Sequence, residues 1–352
     1  MPSPENKDID RLISRATKQL EQQLPFVVYR KPFDKEITGL FQNNPATSNP
    51  VDFEERGFLF APFEESEASI LLQPDEQLTA DFESTANSTG HLPQPVEMGK
   101  EEHVKLVQLA VDRIASGELD KVIVSRQINA KTDKNCFEIF IAALERYSNS
   151  FCYLWFHPAT GIWMGASPEV FLSATDENIE TVALAGTLKT ENGIQPVWTT
   201  KEKDEQQMVT DFIYNCFAQQ LDEITVSTPA TIKAGSVWHL KSKISGKVRA
   251  DFELGKLIQN LHPTPAVCGF PKQKAFGFIK ENESYHRRFY TGFLGELNFR
   301  DNQTNLYVNL RCMKFDNAEV SIFAGGGITK NSIPELEWIE TQHKSQTMLS
   351  LL

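Results

Sequence analysis

The chain has 352 residues, 35 Lys and Arg against 47 Asp and Glu for a formal net charge of −12, and 40% hydrophobic residues. That length carries one large domain or two ordinary ones, and that apolar share supports a sizeable core. The acidic balance argues against a nucleic-acid partner, which needs a basic face for phosphates, and against an anionic membrane surface. No apolar run approaches the roughly 20 residues of a membrane span. The opening Met1-Pro2-Ser3-Pro4-Glu5-Asn6-Lys7 lacks the apolar core of a signal peptide. Cys136, Cys152, Cys216, Cys268 and Cys312 are scattered, odd in number and free of Cys-x-x-Cys pairs. The expectation is a cytoplasmic protein whose reduced thiols act as small core residues, with no zinc site.

In chain order, Ile9, Leu12, Ile13, Ala16, Leu20 and Leu24 fall on one face of a helix near 8–24. Pro45 to Pro50 is a turn-rich break. Pro74 to Lys100, polar and rich in Pro, Ser, Thr and Asn, reads as a long surface loop. Val104, Val107, Val111 and Ile114 give a helix that stops at Gly117. Lys121–Arg126 reads as a strand and Phe137–Arg146 as a helix. Strands Phe151–Phe156 and Ile162–Ser167 meet across a short turn, as do Val170–Ala174 and Ile179–Leu184. Phe293–Phe299, Leu306–Phe315 and Val320–Phe323 follow the same pattern. Short turns imply antiparallel pairing. Helices near Lys201–Leu221 and Pro334–Leu352 separate these runs. The sum predicts an α+β fold with helices packed outside antiparallel sheets.

Two of the helices carry paired carboxylates. Glu202 and Glu205 lie three apart, and Glu337, Glu340 and Lys344 are spaced by three and four, so each set shares a helix face. Like charges at that spacing repel. Either water solvates them or a shared cation neutralises them, and Mg²⁺ takes such oxygen ligands. Spacing alone does not choose. Gly325-Gly326-Gly327 follows a strand and is open to two readings, an anion-binding nest of backbone N–H groups or a tight turn. Gly186-Thr187 is a second candidate donor pair. Arg311 interrupts the apolar strand Leu306–Arg311, either to bind a carboxylate or to form a buried ion pair. Lys121 opens one strand and Glu169 heads another. As base and acid, the lysine must lose a proton against a reference pKa of about 10.4, and the glutamic acid must keep one through burial. As strand-edge charges they need no tuning. His239 fits a structural role as readily as a catalytic one.

Taken together, these segments resemble the chorismate-utilising enzymes, and within them most closely the isochorismate synthases. The resemblance runs from about Leu119 to Met348. It rests on Leu119-Asp-Lys-Val-Ile-Val-Ser-Arg126, Gly165-Ala-Ser-Pro-Glu169, Ala183-Leu-Ala-Gly-Thr187 and Leu261-His-Pro-Thr-Pro-Ala-Val267. It continues through Gly269-Phe-Pro271, Leu310-Arg-Cys312, Phe323-Ala-Gly-Gly-Gly-Ile328 and Glu337-x-x-Glu340-Thr-x-x-Lys344. Each segment alone is weak, and their shared order is specific. It implies a large single domain over 1–352 with two antiparallel sheets and outer helices, variable over 1–100 and catalytic over 101–352.

The resemblance also implies roles. Lys121 matches the lysine that activates water for attack on C2 of chorismate, and Glu169 the acid that protonates the leaving 4-hydroxyl. Glu205 and Glu340 match direct Mg²⁺ ligands, with Glu202 and Glu337 as outer carboxylates. Gly186, Thr187, Arg311, Gly325, Gly326, Gly327 and Lys344 match contacts to the substrate carboxylates. His239 matches a histidine near the ring, and Ala266 and Val267 match the isochorismate-forming version of the pocket. Anthranilate synthases usually lack the lysine that is present here as Lys121. Aminodeoxychorismate synthases often carry a lysine where this chain has Ala185. The expected activity is therefore chorismate to isochorismate, feeding menaquinone or a catecholate siderophore. The alternatives are a salicylate synthase, which goes on to eliminate pyruvate, and a silent chorismate-binding protein. With no coiled coil or apolar interface stripe in view, a monomer is expected.

Overall fold

The structure, a computed structural model, describes residues 6–50, 52–83, 97–188, 195–234, 237–316 and 318–352. The chain opens with α1 (Asn6–Glu21), β1 (Phe26–Arg30), β2 (Glu36–Phe41), β3 (Gly57–Ala61), β4 (Ile70–Leu72) and β5 (Glu76–Asp81). Next come α2 (Lys100–Ala115), β6 (Lys121–Lys131), α3 (Cys136–Arg146), β7 (Phe151–His157), β8 (Gly161–Ser167), β9 (Val170–Ala174) and β10 (Asn178–Leu188). The middle holds α4 (Thr200–Ala218), β11 (Leu221–Val226), β12 (Ala230–Ala234), β13 (Val237–Val248), α5 (Leu254–Leu261), β14 (Gly269–Phe270) and α6 (Lys272–Asn282). The end holds β15 (Phe293–Leu297), β16 (Thr304–Val308), β17 (Cys312–Asp316), β18 (Glu319–Ile328) and α7 (Pro334–Leu349).

The strands form two sheets, antiparallel at every pairing. The first runs β14-β6-β18-β17-β8-β7-β1-β2-β5, and the second β11-β13-β10-β9-β16-β15-β3-β4, with β12 added on β13. The expected α+β class with two antiparallel sheets is what the chain builds. The N-terminal strands enter both sheets, β1, β2 and β5 the first and β3 and β4 the second.

Aromatic side chains fill the space between the sheets. Tyr29, Tyr153, Trp155 and Trp163 come from the first sheet and Phe58 and Phe60 from the second, with the aliphatic Leu294 packed among them. The Phe60 and Trp155 ring centroids lie 5.0 Å apart in a tilted pair. The outer faces are covered by helices. Leu12 and Ala16 of α1 and Ile139, Phe140 and Ala143 of α3 pack on the first sheet. Val209, Ile213 and Phe217 of α4, with Leu257 and Ile258 of α5, pack on the second. No described helix is long and apolar enough to cross a membrane.

Two expected elements differ. Residues 76–81, read as loop, form β5, whose alternating half-exposed pattern suits its place at the edge of the first sheet. The expected single strand Leu306–Phe315 is two, β16 in the second sheet and β17 in the first. Leu306–Val308 and Cys312–Met313 are buried on either side of the crossing, so the apolar run continues through a point where the chain changes sheet.

Candidate active site

That change of sheet has a neighbour. β8 ends in the first sheet at Ser167 and β9 starts in the second at Val170. The two crossings lie side by side. The Val308 amide donates to the Glu169 carbonyl at 3.0 Å, and the Ala166 amide to the Arg311 carbonyl at 3.0 Å. Ser167 Oγ donates to the Val308 carbonyl at 2.5 Å. Glu169 and Arg311 therefore sit at the seam between the sheets. Arg311 is not a strand residue, as expected from the sequence, but a corner with φ of +48°.

The seam opens into a cavity of about 180 Å³. Lys121 reaches it from β6, Glu202 and Glu205 from α4, His239 from β13, and Glu337, Glu340 and Lys344 from α7. Glu169, Gly186, Ala266, Val267, Arg311 and Gly325–Gly327 complete the expected set around the same space. Thr187 is the exception. Its backbone pairs with His239 in the β10–β13 ladder, and its side chain lies outside the described residues. Tyr290, Thr291, Ile123 and Phe323 also line the cavity, and sequence reasoning passed over them. Thr291 itself has φ of +62°, with Gly292 next to it closing the turn onto the Phe289 carbonyl.

The glycines act differently from the expected nest. Gly325, Gly326 and Gly327 lie within β18, paired with Ser125, Val124 and Ile123 of β6. Their N–H groups belong to an extended strand, and what they provide is clearance. A Cβ on Gly327 would sit 3.1 Å from Lys121 Cε and 3.6 Å from Glu205 Oε1. One on Gly326 would lie 3.4 Å from Glu337 Oε2 and 3.6 Å from Glu340 Oε1. Gly186 sits at a bulge in β10 with φ of +70°, and a Cβ there would meet the Glu202 backbone and Cβ at 3.1 Å. Its absence lets the first turn of α4 close on the strand.

The charged groups are arranged in pairs. Lys121, 2% exposed, donates from Nζ to Glu205 Oε1 at 2.6 Å. Lys344 Nζ lies 2.6 Å from Glu340 Oε1 and donates to the Gly325 carbonyl at 2.9 Å. Arg311 Nη1 donates to the Lys344 carbonyl at 3.0 Å, so the corner also fixes α7. Glu202 has a further use that the resemblance did not imply. It accepts from the Thr199 amide at 3.0 Å and from Thr199 Oγ1 at 2.5 Å, closing a capping box on α4.

Burial decides two protonation states. It pushes the Glu169 carboxyl up to about 7, although Lys121, Lys344 and Arg311 all pull it down. His239 is lowered to about 4 by burial, then by the Lys344 and Arg311 charges, so its ring is neutral at neutral pH. Burial raises Glu340, but the adjacent Lys344 and Arg311 outweigh it and hold the carboxyl below its usual value.

A small cavity with three cationic side chains, four helix-borne carboxylates and one acid titrating near neutrality defines an enzyme site for a small anionic substrate. The chain belongs to the family of chorismate-binding enzymes, whose family model, Chorismate binding enzyme, matches residues 62–352. It is 29% identical to the isochorismate synthase EntC of Escherichia coli (strain K12) over 340 residues, 91% of this chain and 86% of that protein. Its fold is similar to that of the crystal structure of DhbC from Bacillus anthracis. The TM-score is 0.79 at 22% identity, covering 96% of this chain and 99% of that one. Anthranilate synthase component I from Streptococcus pneumoniae shares the fold at a TM-score of 0.68 and 17% identity, covering 92% and 89%. Fold alone therefore does not separate the family's reactions, and the side chains must.

Proposed function

We propose that this chain is an isochorismate synthase that converts chorismate to isochorismate. The observation that carries the reading is the coexistence in one cavity of a buried lysine, Lys121, and a carboxylic acid held near neutrality, Glu169. Lys121, acting as the neutral amine, accepts a proton from a water that attacks C2 of the ring, and the ring double bonds shift. Glu169 gives its proton to the departing 4-hydroxyl, which leaves as water. One water enters and one leaves, so the overall change is an isomerisation. Ala185, where a lysine would offer a competing nucleophile, keeps water as the attacking group. Arg311 and Lys344 neutralise the substrate carboxylates, and neutral His239 adds no further positive charge beside the ring.

Mg²⁺ fits the donor set. Among the described residues, no group of three or more His, Cys, Asp or Glu is gathered around one point. Mg²⁺ needs less, because it commonly takes one or two carboxylates and completes its shell with water and substrate oxygens. Glu205 and Glu340 are the two assigned to it, with Glu202 and Glu337 beyond them. The carboxylates of Glu205, Glu337 and Glu340 all come close to the adjacent bare strand positions Gly326 and Gly327. When bound, the ion supplies positive charge to the substrate's ring carboxylate.

Purified protein given chorismate and Mg²⁺ should form isochorismate as the first product seen by chromatography. Salicylate with pyruvate at the earliest times would instead identify a salicylate synthase. EDTA should stop turnover and added Mg²⁺ restore it. Glu340→Ala should raise the Mg²⁺ concentration for half-maximal activity by roughly tenfold or more, as expected when one of two protein ligands is lost. An unchanged Mg²⁺ requirement would remove Glu340 from the metal site.

A further inference from the structure

The apolar side of the cavity is held from behind by a residue that does not line it. Arg287 is 3% exposed. Its Nη1 donates to the Val267 carbonyl at 2.9 Å and to Thr291 Oγ1 at 3.3 Å. Its Nη2 donates to the Ile123 carbonyl at 2.8 Å and to Glu283 Oε1 at 2.6 Å. Its Nε donates to Glu283 Oε2 at 2.8 Å. All five donors of the guanidinium have an acceptor.

The acceptors are not scattered. Ile123 belongs to β6, Val267 to the turn closed by the Thr264 carbonyl, and Thr291 to the turn before β15. These segments are remote in sequence, and each contributes a lining residue to the cavity. Glu283 is fixed in turn, accepting from the Ser125 amide at 2.8 Å and from Ser125 Oγ at 2.7 Å. The guanidinium carbon also lies 4.7 Å from the centre of the Phe63 ring. A buried ion pair is poor evidence for stability, but one that ties three wall segments together fixes a shape.

We infer that Arg287, oriented by Glu283, is a positioning residue that sets the spacing of Ile123, Val267 and Thr291 around the substrate ring. The inference rests on the chorismate reading of the cavity. A lysine keeps a positive charge for Glu283 but presents its donors from one point, so it cannot hold the separated acceptors together.

The test is calorimetric binding of chorismate, with Mg²⁺ present, to wild type, Arg287→Lys and Phe140→Leu. Phe140 is buried under α3 in a different part of the core, so its truncation lowers stability without touching the wall. Arg287→Lys should weaken chorismate binding about tenfold, the scale on which sub-ångström misplacement of a site acts, while Phe140→Leu binds normally. Wild-type affinity in a folded Arg287→Lys protein would overturn the inference. If Arg287→Lys does not melt cooperatively, Ser125→Ala replaces it, since it removes one support of Glu283 and leaves Arg287 in place. It should weaken binding a few-fold, roughly what one lost hydrogen bond gives, and unchanged binding would overturn the inference equally. Wild type that binds chorismate without converting it would sink the isochorismate reading and leave this comparison intact.

Discussion

Lys121→Ala should lose turnover of chorismate by roughly 10²- to 10⁴-fold, the span that one general base supplies. Chorismate should still bind, because the carboxylate contacts proposed for Arg311 and Lys344 come from other elements. The partner left behind is Glu205, whose side chain is 18% exposed and so reaches water once Lys121 is gone. Folding should therefore survive, which thermal melting checks. Lys121→Arg separates the proton from the charge. Arginine keeps a cation near Glu205 but does not give up its proton in proteins. It should be as inactive as the alanine variant. An active Lys121→Arg enzyme would mean that the residue serves only as a charge.

Glu169→Gln should cost a similar factor, roughly 10²- to 10⁴-fold, because the amide keeps the shape of the acid and has no proton to give the leaving hydroxyl. The same variant tests the protonation state. Burial raises the folded-state carboxyl from its ordinary 4.5 to about 7. The unfolded chain releases this proton near the ordinary value, and the folded chain keeps it until about 7. As pH rises between those values the unfolded state is favoured, so this group's contribution to stability falls across that window and is level above it. Glutamine does not titrate. The melting temperature of Glu169→Gln relative to wild type should therefore climb from about pH 4.5 to 7 and then flatten. A difference that stays constant across the window would return Glu169 to an ordinary carboxylate.

Helices α1, α2, α3, α4 and α7 and the β7–β8 hairpin were legible because their apolar spacing and turn residues agree with what they became. The N-terminal strands were not. Phe26–Arg30 is buried at every position, so it shows no alternation to distinguish it from other buried apolar runs. β13 was missed for a different reason. Its inward positions include Ser242 and Gly246 beside Leu240 and Ile244. Ser242 Oγ accepts from Gln206 Nε2, and Gly246 admits Leu221 closely, so a buried face reads as polar and broken.

The candidate site shows the same division. Its charged residues stood out by type, spacing and resemblance. The seam that gathers Glu169 and Arg311 did not, because strand crossings leave no mark in an apolar run. The glycine run was visible but open to the wrong use. Composition marks a need for bare backbone and does not say whether a ligand's anion or a neighbouring lysine requires it. Arg287 was invisible as a wall support, since its meaning depends on three carbonyl and hydroxyl partners that only the fold brings together.

The central claim is that water attacks C2 while the 4-hydroxyl departs, and oxygen labelling tests it most directly. Chorismate turned over in ¹⁸O-water should give isochorismate carrying one heavy oxygen in its new hydroxyl, read by mass spectrometry after brief reaction. Isochorismate formed without label would mean that the substrate's own hydroxyl migrates, and the roles assigned to Lys121 and Glu169 would fall together.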